Sequence, residues 1–268
     1  MIANVLTIAG SDPSGGAGIQ ADLKTFSAHG VYGCSVITAV TAQNTLGVQG
    51  VHTLPAEFVA AQLQSVLQDV RISAAKTGML ANAAIIRAIV AVLAQHPHLP
   101  LVVDPVMVST SGHRLLEPEA ERALREELIP RSAMITPNLS EAAVLLGREP
   151  DYRVAAMDDI MEALLGLGAP SIYLKGGHIA DSDLMCDLFW DGEQLHRWSV
   201  PRQETTHTHG TGCSLAASIA AHMGRGASGR DAARAAHDWL QLAIAAATRL
   251  EVGSGKGPVN HLTPMVVV

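Results

Sequence analysis

The stretch VLTIAGSDPSGGAGIQADLKTFSAH, residues 5–29, contains an apolar run, a glycine-rich turn and a helical pattern in succession. Val5–Ala9 has the near-continuous apolar character of a buried strand, and Gly10–Gly18 supplies the small residues of a turn. The residues from there to about His29 are typical of a helix. A strand, a turn and a helix make one βα unit, and repetition of this unit predicts a parallel sheet.

The same alternation recurs to the end of the chain. Further predicted strands are Ser35–Thr41, Ala74–Thr77, Leu101–Asp104, Ala133–Thr136 and Ser171–Lys175, and residues 184–199 predict a hairpin around Asp191-Gly192. Predicted helices are Glu57–Val70, Asn82 as N-cap to about Gln95, Glu117–Leu128, Leu139–Leu146, Ala155–Leu167, Thr211–His222 and Asp231–Leu250. No linker divides the chain. We therefore predict one α/β domain over residues 1–268, with a mostly parallel sheet covered by helices on both faces.

The composition excludes several classes of protein. With 48% hydrophobic residues among 268, the chain can bury a large core and is not expected to be disordered. Its 18 Lys and Arg against 25 Asp and Glu give a net charge of −7, so neither a nucleic acid nor a membrane is an expected partner. The sequence has no run of about 18 apolar residues, so a membrane span is not expected. It also lacks a basic N-terminal region, so a signal peptide is not expected. Three cysteines without a CxxC pair indicate a reducing cytoplasm.

Ligands of open parallel sheets bind beyond the carboxyl ends of the strands, which directs attention to the polar turns there. In the first turn, the glycines of Gly10–Gly18 let backbone N–H groups approach a ligand closely, although a plain βα turn explains them equally well. The turn has neither the dinucleotide fingerprint nor the Walker A pattern. Asp22 lies in the first turns of the following helix, where it faces the ligand or only complements the helix dipole.

A second glycine turn precedes an Ala-rich helix. Gly210-Thr211-Gly212 frees successive N–H groups at the positive end of that helix, which predicts an anion hole for a transferring phosphoryl group. Cys213 falls in the first helical turn, where the pKa of a thiol is expected to fall below its free value of about 8.5. The alternative is a small buried cysteine without a chemical role.

Acidic and basic residues follow three other predicted strands. Asp104 ends a strand beside the expected cleft, as a Mg²⁺-binding carboxylate does. Glu141 suits the same role, but Asn138 and Glu141 also have the spacing of a capping box. Lys175, followed by Gly176-Gly177, predicts a phosphate clamp, and a surface lysine in a turn explains it equally well.

The twelve histidines do not predict a metal site, because His207 and His209 have no third ligand at a suitable spacing. We expect most of the others, including His29, His96, His98 and His237, to lie at the surface or at helix ends.

Eight segments together support a resemblance. They are AGSDPSGGAGIQADLKTF (9–26), TAQNT (41–45), KTGML (76–80), VDPVMV (103–108), TPNLSEA (136–142), LKGGH (174–178), HGTGC (209–213) and GPVNH (257–261). In this order, across essentially the whole chain, they resemble the hydroxymethylpyrimidine/phosphomethylpyrimidine kinases of thiamine biosynthesis, within the ribokinase-like superfamily. The resemblance implies a three-layer α/β/α sandwich, a homodimer, and ATP- and Mg²⁺-dependent phosphorylation of 4-amino-5-hydroxymethyl-2-methylpyrimidine to its monophosphate and then its diphosphate.

The resemblance also implies roles for residues of the heterocycle pocket. Carried over to this sequence, Gln43 would hydrogen-bond the aminopyrimidine edge. Gly10, Asp22, Met79 and Val106 would form the rest of that pocket.

Other matching residues imply the phosphate side. Asp104 and Glu141 would lie near Mg²⁺, while Asn138 and Lys175 would contact the ATP phosphates. Gly210–Cys213 would be the anion hole, with Cys213 as candidate base. Related sugar kinases carry an aspartate where this chain has Cys213. We hypothesise that Cys213 matters more for attack by the alcohol than for attack by the phosphate, because a phosphomonoester is already largely ionised with a second pKa near 6.

Two alternatives and one departure from the family pattern are left open by the sequence. A pyridoxal or pyridoxine kinase of the same fold would also take a heteroaromatic hydroxymethyl compound, and a non-catalytic pyrimidine-binding regulator would keep the fold alone. The run Gly253-Ser254-Gly255-Lys256-Gly257 stands where relatives often have a His-containing glycine run, which makes the nucleotide-side loop harder to assign.

Overall fold

The computed structural model describes residues 1–107 and 116–263. The predicted domain, residues 1–268, also includes 108–115 and 264–268, which lie outside the described residues. Val108 of the VDPVMV segment is among them. The strands are β1 Asn4–Ala9, β2 Tyr32–Ile37, β3 Ala39–Asn44, β4 Gly47–Thr53, β5 Ala74–Thr77, β6 Leu101–Val103, β7 Met134–Ile135, β8 Ser171–Leu174, β9 Leu184–Trp190 and β10 Leu195–Pro201. The helices are α1 Gly18–Ala28, α2 Ala56–Asp69, α3 Ala83–Leu93, α4 Pro118–Ala123, α5 Leu139–Leu146, α6 Met157–Leu165, α7 Thr211–Gly224 and α8 Gly229–Ala245.

The central sheet has eight strands in the order β10-β9-β8-β7-β6-β5-β1-β2. The strands β2, β1, β5, β6, β7 and β8 are parallel, whereas β9 pairs antiparallel with both β8 and β10. The connection between β9 and β10 includes Asp191 and Gly192, as the turn signal predicts. The prediction of a mostly parallel sheet is confirmed, with an antiparallel hairpin at one edge.

Two apolar cores lie on opposite faces of this sheet. Leu6 and Ile8 of β1 face one core together with α2, α3, α4, α5 and α6. Val5 faces the other core, which Phe26 of α1 forms with α7 and α8. Because successive residues of a strand point to opposite faces, one apolar strand supplies both cores and the predicted α/β/α layering is confirmed.

The prediction of one strand over Ser35–Thr41 is wrong. The chain leaves the sheet at Thr38, whose N–H donates to the Ala9 carbonyl and whose hydroxyl donates to the Met79 carbonyl. Beyond it, β3 and β4 pair antiparallel as a separate two-stranded sheet. Residues of β4 are exposed or half-buried. Because a strand at the surface needs no continuous apolar run, β4 lacks the sequence pattern by which the other strands are recognised.

The helix predictions agree with the structure except at some ends. Helix α5 begins and ends as predicted, and the Asn82 side chain caps α3 by accepting a hydrogen bond from the Ile85 N–H. The predicted helix Glu117–Leu128 is α4 followed by a π-helical turn. His29 is the C-cap of α1 and so lies at a helix end as expected, although it is only 1% exposed. His237 lies within α8 and is 2% exposed, so the expectation that it lies at the surface or at a helix end is wrong.

Candidate active site

A cavity of about 930 Å³ lies beyond the carboxyl ends of β1, β5, β6 and β8. Its lining brings together every predicted site residue except Asp22: Gly10, Gln43, Met79, Asp104, Val106, Asn138, Glu141, Lys175, Gly210, Thr211, Gly212 and Cys213. Parallel strands place the turns that follow them along one edge, and this explains why residues so distant in sequence meet here.

The glycine turn that is predicted to form an anion hole lies at the N-terminus of α7. Gly210 is the N-cap with φ +76°, and no side chain caps the first N–H groups of this 14-residue helix. A Cβ at Gly210 would lie 1.8 Å from the Gly16 carbonyl oxygen, so only glycine allows the two glycine turns to meet. The Thr211 N–H donates to the Thr208 carbonyl at 3.4 Å, and no side chain caps the N–H groups that follow it. A helix end of this kind facing a cavity is suited to an anion.

The Cys213 thiol is half-buried in this first turn. Burial raises the pKa of Cys213 to about 11, and the carboxylates of Asp22 and Asp104 add to the rise while Lys76 opposes it. The expectation that the helix terminus lowers this pKa is therefore wrong, because removal from water and two nearby carboxylates outweigh the helix dipole.

Asp22 does not reach the cavity. It is fully buried, and its two carboxylate oxygens lie 3.0 and 2.9 Å from Lys76 Nζ. The Thr7 hydroxyl donates a third hydrogen bond of 2.6 Å. Lys76 itself lines the cavity from β5, so the structure places Asp22 behind Lys76 rather than beside a ligand.

Lys175 lies near the α7 terminus between two carboxylates, those of Asp104 and Glu141. Its Nζ lies 2.9 Å from Asp104 Oδ1 and 3.5 Å from Glu141 Oε2. Although burial opposes it, these two carboxylates raise the pKa of Lys175. Burial and the charge of Asp104 raise the pKa of Glu141 to about 7 against the pull of Lys175. A Cβ at Gly212 would lie 3.2 Å from Lys175 Nζ, so the ammonium is beside the anion hole.

The capping box and the cavity share the same two residues. Asn138 Oδ1 accepts from the Glu141 N–H, and Glu141 Oε2 accepts from the Asn138 N–H, each at 2.8 Å. Because both side chains also line the cavity, the capping interpretation and the ligand interpretation do not exclude each other.

The acidic residues fit a magnesium ion that is held mainly by phosphates and water. Asp104 Oδ1 accepts from Thr136 Oγ1 and Lys175 Nζ, whereas Oδ2 accepts no hydrogen bond from the described residues. A Cβ at Gly212 would lie 3.8 Å from Oδ2, which therefore faces the anion hole. Residues 1–107 and 116–263 contain no cluster of three or more His, Cys, Asp or Glu able to hold a metal by themselves. Mg²⁺ commonly binds through one or two carboxylates and substrate phosphates, so this donor set fits it.

The other end of the cavity carries apolar side chains. Gly10 lies against Met79, because a Cβ there would come within 2.2 Å of the Met79 Cε. Val106 and Met107 add further apolar surface. The Gln43 amide is a polar group of this wall, with Oε1 3.4 Å from the Thr41 hydroxyl and Nε2 3.5 Å from His209 Nε2.

The role of Asp12 in joining the two glycine turns was not predicted. Its carboxylate accepts from the N–H groups of Ser14, Gly16 and Ala17, and Oδ2 lies 2.8 Å from His209 Nε2. The Asp-Pro-Ser sequence carries a local signal of an Asx turn, but nothing local pairs it with a histidine 197 positions away.

The wall on the α8 side of the cavity was also missed by sequence reasoning. It is formed by Met185, Gln203, Leu240, Gln241 and Ile244. In the sequence Leu240 and Ile244 have the spacing of ordinary core residues of α8, so periodicity does not separate them from the core.

A buried network stands behind Lys175. The Asp187 carboxylate accepts 2.7 Å hydrogen bonds from the Gly176 N–H and from the Tyr173 hydroxyl, and His237 Nδ1 lies 2.9 Å from that hydroxyl. Asp187 therefore anchors the backbone next to Lys175, and α8 contributes both to this network and to the cavity wall.

Within the described ranges, no helix is long and apolar enough to cross a membrane.

Comparison with known proteins identifies the relatives of the chain. The family model for phosphomethylpyrimidine kinase matches residues 12–260. The hydroxymethylpyrimidine/phosphomethylpyrimidine kinase of Salmonella typhimurium is 51% identical over 96% of this chain and 97% of its own. A phosphomethylpyrimidine kinase structure from Clostridium difficile superposes with a TM-score of 0.79 at 40% identity, covering 90% of this chain and 99% of its own. The ADP complex of Bacillus subtilis pyridoxal kinase superposes with a TM-score of 0.88 at 35% identity, covering 97% of this chain and 98% of its own.

Proposed function

The chain belongs to the phosphomethylpyrimidine kinase family, and on that premise we propose that it phosphorylates 4-amino-5-hydroxymethyl-2-methylpyrimidine at the expense of ATP, first to the monophosphate and then to the diphosphate. The observation that carries the proposal is the position of the α7 terminus. It lies beside Lys175 and opens on the same cavity as the pocket formed by Gly10, Gln43 and Met79.

The heterocycle occupies the apolar end. Gln43 provides a donor and an acceptor on one amide, which matches the amino group and the adjacent ring nitrogen of an aminopyrimidine. The side chains of Met79 and Val106 contact the faces of the ring, since a flat aromatic ligand gains most from apolar contact on both faces. This arrangement points the hydroxymethyl group towards the α7 terminus.

The triphosphate lies along the opposite wall. The N–H groups of Gly210–Cys213 and the ammonium of Lys175 receive the transferring phosphoryl group, whose catalysis depends mainly on position and charge. Asp104 and Glu141 would hold Mg²⁺, which when bound would neutralise charge on the phosphate oxygens. Asn138 and Thr211 contact the phosphates, and the nucleobase rests against Met185, Leu240 and Ile244.

Cys213 is the group nearest the attacking oxygen in the first transfer. As the hydroxymethyl oxygen bonds to the γ-phosphorus, the bond from that phosphorus to the β–γ bridging oxygen breaks and ADP leaves. The hydroxymethyl proton goes to Sγ of the thiolate form of Cys213, which is a minor species because the pKa of this thiol is about 11. In the second transfer the nucleophile is a phosphate oxygen that is already ionised, so the step needs position and charge neutralisation but no base.

We also propose that the protein is a homodimer in the cytoplasm. Val40 and Val51 of the β3–β4 hairpin and Phe58 of α2 are exposed apolar residues that a second copy would cover. The described cysteines are free, as a reducing compartment requires. Sedimentation equilibrium tests the dimer, and a monomer at all concentrations would contradict it.

Pyridoxal or pyridoxine is the competing substrate. Structural neighbours include Staphylococcus aureus pyridoxal kinase in complex with pyridoxal, so the fold accommodates both ring types in different proteins. Gln43 favours the aminopyrimidine, because a pyridine ring lacks the amino group that the amide would pair with.

One assay tests the proposal. ATP consumption is measured with hydroxymethylpyrimidine, pyridoxal and pyridoxine as separate substrates, followed by mass analysis of the products. We expect mono- and diphosphate from the pyrimidine and a higher kcat/KM for it than for either pyridine. A higher value for pyridoxal would support the pyridoxal kinase alternative, and absence of turnover with any of them would support a non-catalytic binder.

A further inference from the structure

The tip of the β3–β4 hairpin is hydrogen-bonded to the glycine run near the end of the chain. The Lys256 N–H donates to the Thr45 carbonyl at 3.1 Å, and the Gly255 N–H donates to Thr45 Oγ1 at 3.1 Å. One residue of the hairpin therefore accepts hydrogen bonds from two consecutive residues of a segment 210 positions away.

Two of the three glycines of this run are required by their closeness to Thr45. A Cβ at Gly255 would lie 2.1 Å from the Thr45 carbonyl oxygen. Gly253 has φ +65°, and a Cβ there would lie 2.2 Å from Thr45 Oγ1. Contact with the hairpin thus explains Gly253 and Gly255, whereas a Cβ at Gly257 would lie 2.2 Å from His207 Nδ1.

The contact joins the two ends of the cavity. On one side, Gln43 in β3 lies two residues before Thr45 and faces the heterocycle pocket. On the other side, Lys256 lines the cavity near His178, whose pKa is lowered by burial and by the charges of Lys175 and Lys256. The run then leads to the phosphate side, because the Gly257 carbonyl accepts from the His209 N–H just before the anion hole.

We propose that Thr45 is a positioning residue that couples the binding of the two substrates. A heterocycle that binds Gln43 holds the hairpin, and the hairpin through Thr45 holds the glycine run in its place at the nucleotide end. A nucleotide then binds to a segment that is already ordered, so it loses less conformational entropy. The same factor must apply in the reverse direction, because coupling between two binding equilibria is reciprocal. This inference rests on the proposed function, since it requires both ligands.

Calorimetric titration measures the coupling directly. The Kd of ADP with Mg²⁺ is determined in the absence and in the presence of saturating hydroxymethylpyrimidine. We expect the pyrimidine to lower the Kd of ADP by about 5-fold or more, the lower end of typical couplings. Gly255→Ala should bring this ratio close to one, because its Cβ displaces Thr45. Thr45→Val removes only the Oγ1 acceptor, so an intermediate ratio is expected.

Gly50→Ala is the matched control. It adds the same methyl group to the same hairpin, where the new Cβ would lie 3.9 Å from the Ala42 Cβ in ordinary contact. Gly50 does not line the cavity, and we expect its variant to retain the ratio of the natural protein.

Hydrogen exchange supplies a second measurement that needs no variant. The pyrimidine alone should slow exchange of the amides of Gly255 and Lys256. If the pyrimidine and ADP both bind but the natural protein shows a ratio of one, the coupling is refuted while the proposed function stands. A ratio unchanged in both Gly255→Ala and Thr45→Val, or unaltered exchange at 255 and 256, refutes the role of Thr45. If neither ligand binds, the proposed function fails and the inference fails with it.

Discussion

The ammonium of Lys76 lies 3.0 and 2.9 Å from the two carboxylate oxygens of Asp22, and both side chains are fully buried. The pair joins β5 to α1, and the Thr7 hydroxyl joins β1 to the same carboxylate. Removing either partner leaves a charge in the protein interior without its counterion, whereas removing both leaves only a change of shape.

Substitution of this pair should therefore be strongly non-additive. We expect Asp22→Leu and Lys76→Met each to lower the free energy of unfolding by about 3–5 kcal/mol. The double variant Asp22→Leu/Lys76→Met should lose less than the sum of the two single variants. Urea unfolding of the four proteins measures the coupling, and single-variant losses below about 1 kcal/mol would contradict a buried ion pair.

Loss of the Cys213 thiol should affect the two phosphoryl transfers unequally. Because burial raises the pKa of Cys213 to about 11, little thiolate exists at pH 8. We therefore expect Cys213→Ala to slow the alcohol step by about 10²-fold, the lower end for removal of a general base. The phosphate step should change much less. Single-turnover rates with the alcohol and with the monophosphate measure both steps.

The control for that comparison is Cys34→Ser, which removes a thiol that does not line the cavity. It should leave both rates near those of the natural protein. Equal losses in the two steps of Cys213→Ala would show that the thiol positions the substrates and does not act as a base.

Acid should destabilise the fold through His29. Burial lowers the pKa of His29 to about 3 from 6.5, with smaller contributions from His222 and Arg225. Below pH 6.5 the unfolded chain therefore binds a proton that the folded protein does not, so the stability present above pH 6.5 is lost as the pH falls towards 3. At pH 5.5 we expect the free energy of unfolding to be about 1.4 kcal/mol lower from this residue alone.

Urea unfolding at pH 7.5 and 5.5 measures this loss. His29→Gln should show less pH dependence than the natural protein, although it gives up the hydrogen bond between His29 Nε2 and the Ser218 hydroxyl. Exposed His98 serves as the control, and His98→Gln should retain the full dependence. If the free energy of unfolding changes equally between pH 7.5 and 5.5 in all three proteins, the assignment to His29 is contradicted.

The Asp187 network should matter for nucleotide binding more than for the heterocycle. Tyr173→Phe removes the 2.7 Å hydrogen bond to Asp187, which holds the Gly176 N–H beside Lys175. We expect a loss of about 1.5–3 kcal/mol in the free energy of unfolding, typical of a hydrogen bond to a charged group. The KM for ATP should rise several-fold, while the KM for the pyrimidine stays within twofold.

Tyr32→Phe makes the same chemical change at an exposed tyrosine and should alter neither constant. If Tyr173→Phe lowers stability without changing the KM for ATP, the network supports the sheet and does not position Lys175.

Local patterns predicted the elements whose formation depends on neighbours in sequence. Asn82 caps α3 and Asn138 forms a capping box with Glu141, because a cap needs only residues three positions apart. The β3–β4 hairpin escaped prediction, since its exposed strands carry no continuous apolar run. The burial of His29 escaped it too, because its partner Ser218 lies 189 positions away.

The same division applies to the active site. The order of βα units by itself determined that the turns after β1, β5, β6 and β8 meet at one edge, because parallel strands end on the same side. Only the tertiary structure decided which side chains face the cavity, which of them are paired, and how their pKa values are shifted. Asp22 is turned to Lys76, the wall formed by α8 joins the site, and the pKa of Cys213 rises to about 11. Desolvation and long-range pairing set these properties, and both depend on residues that only folding brings together.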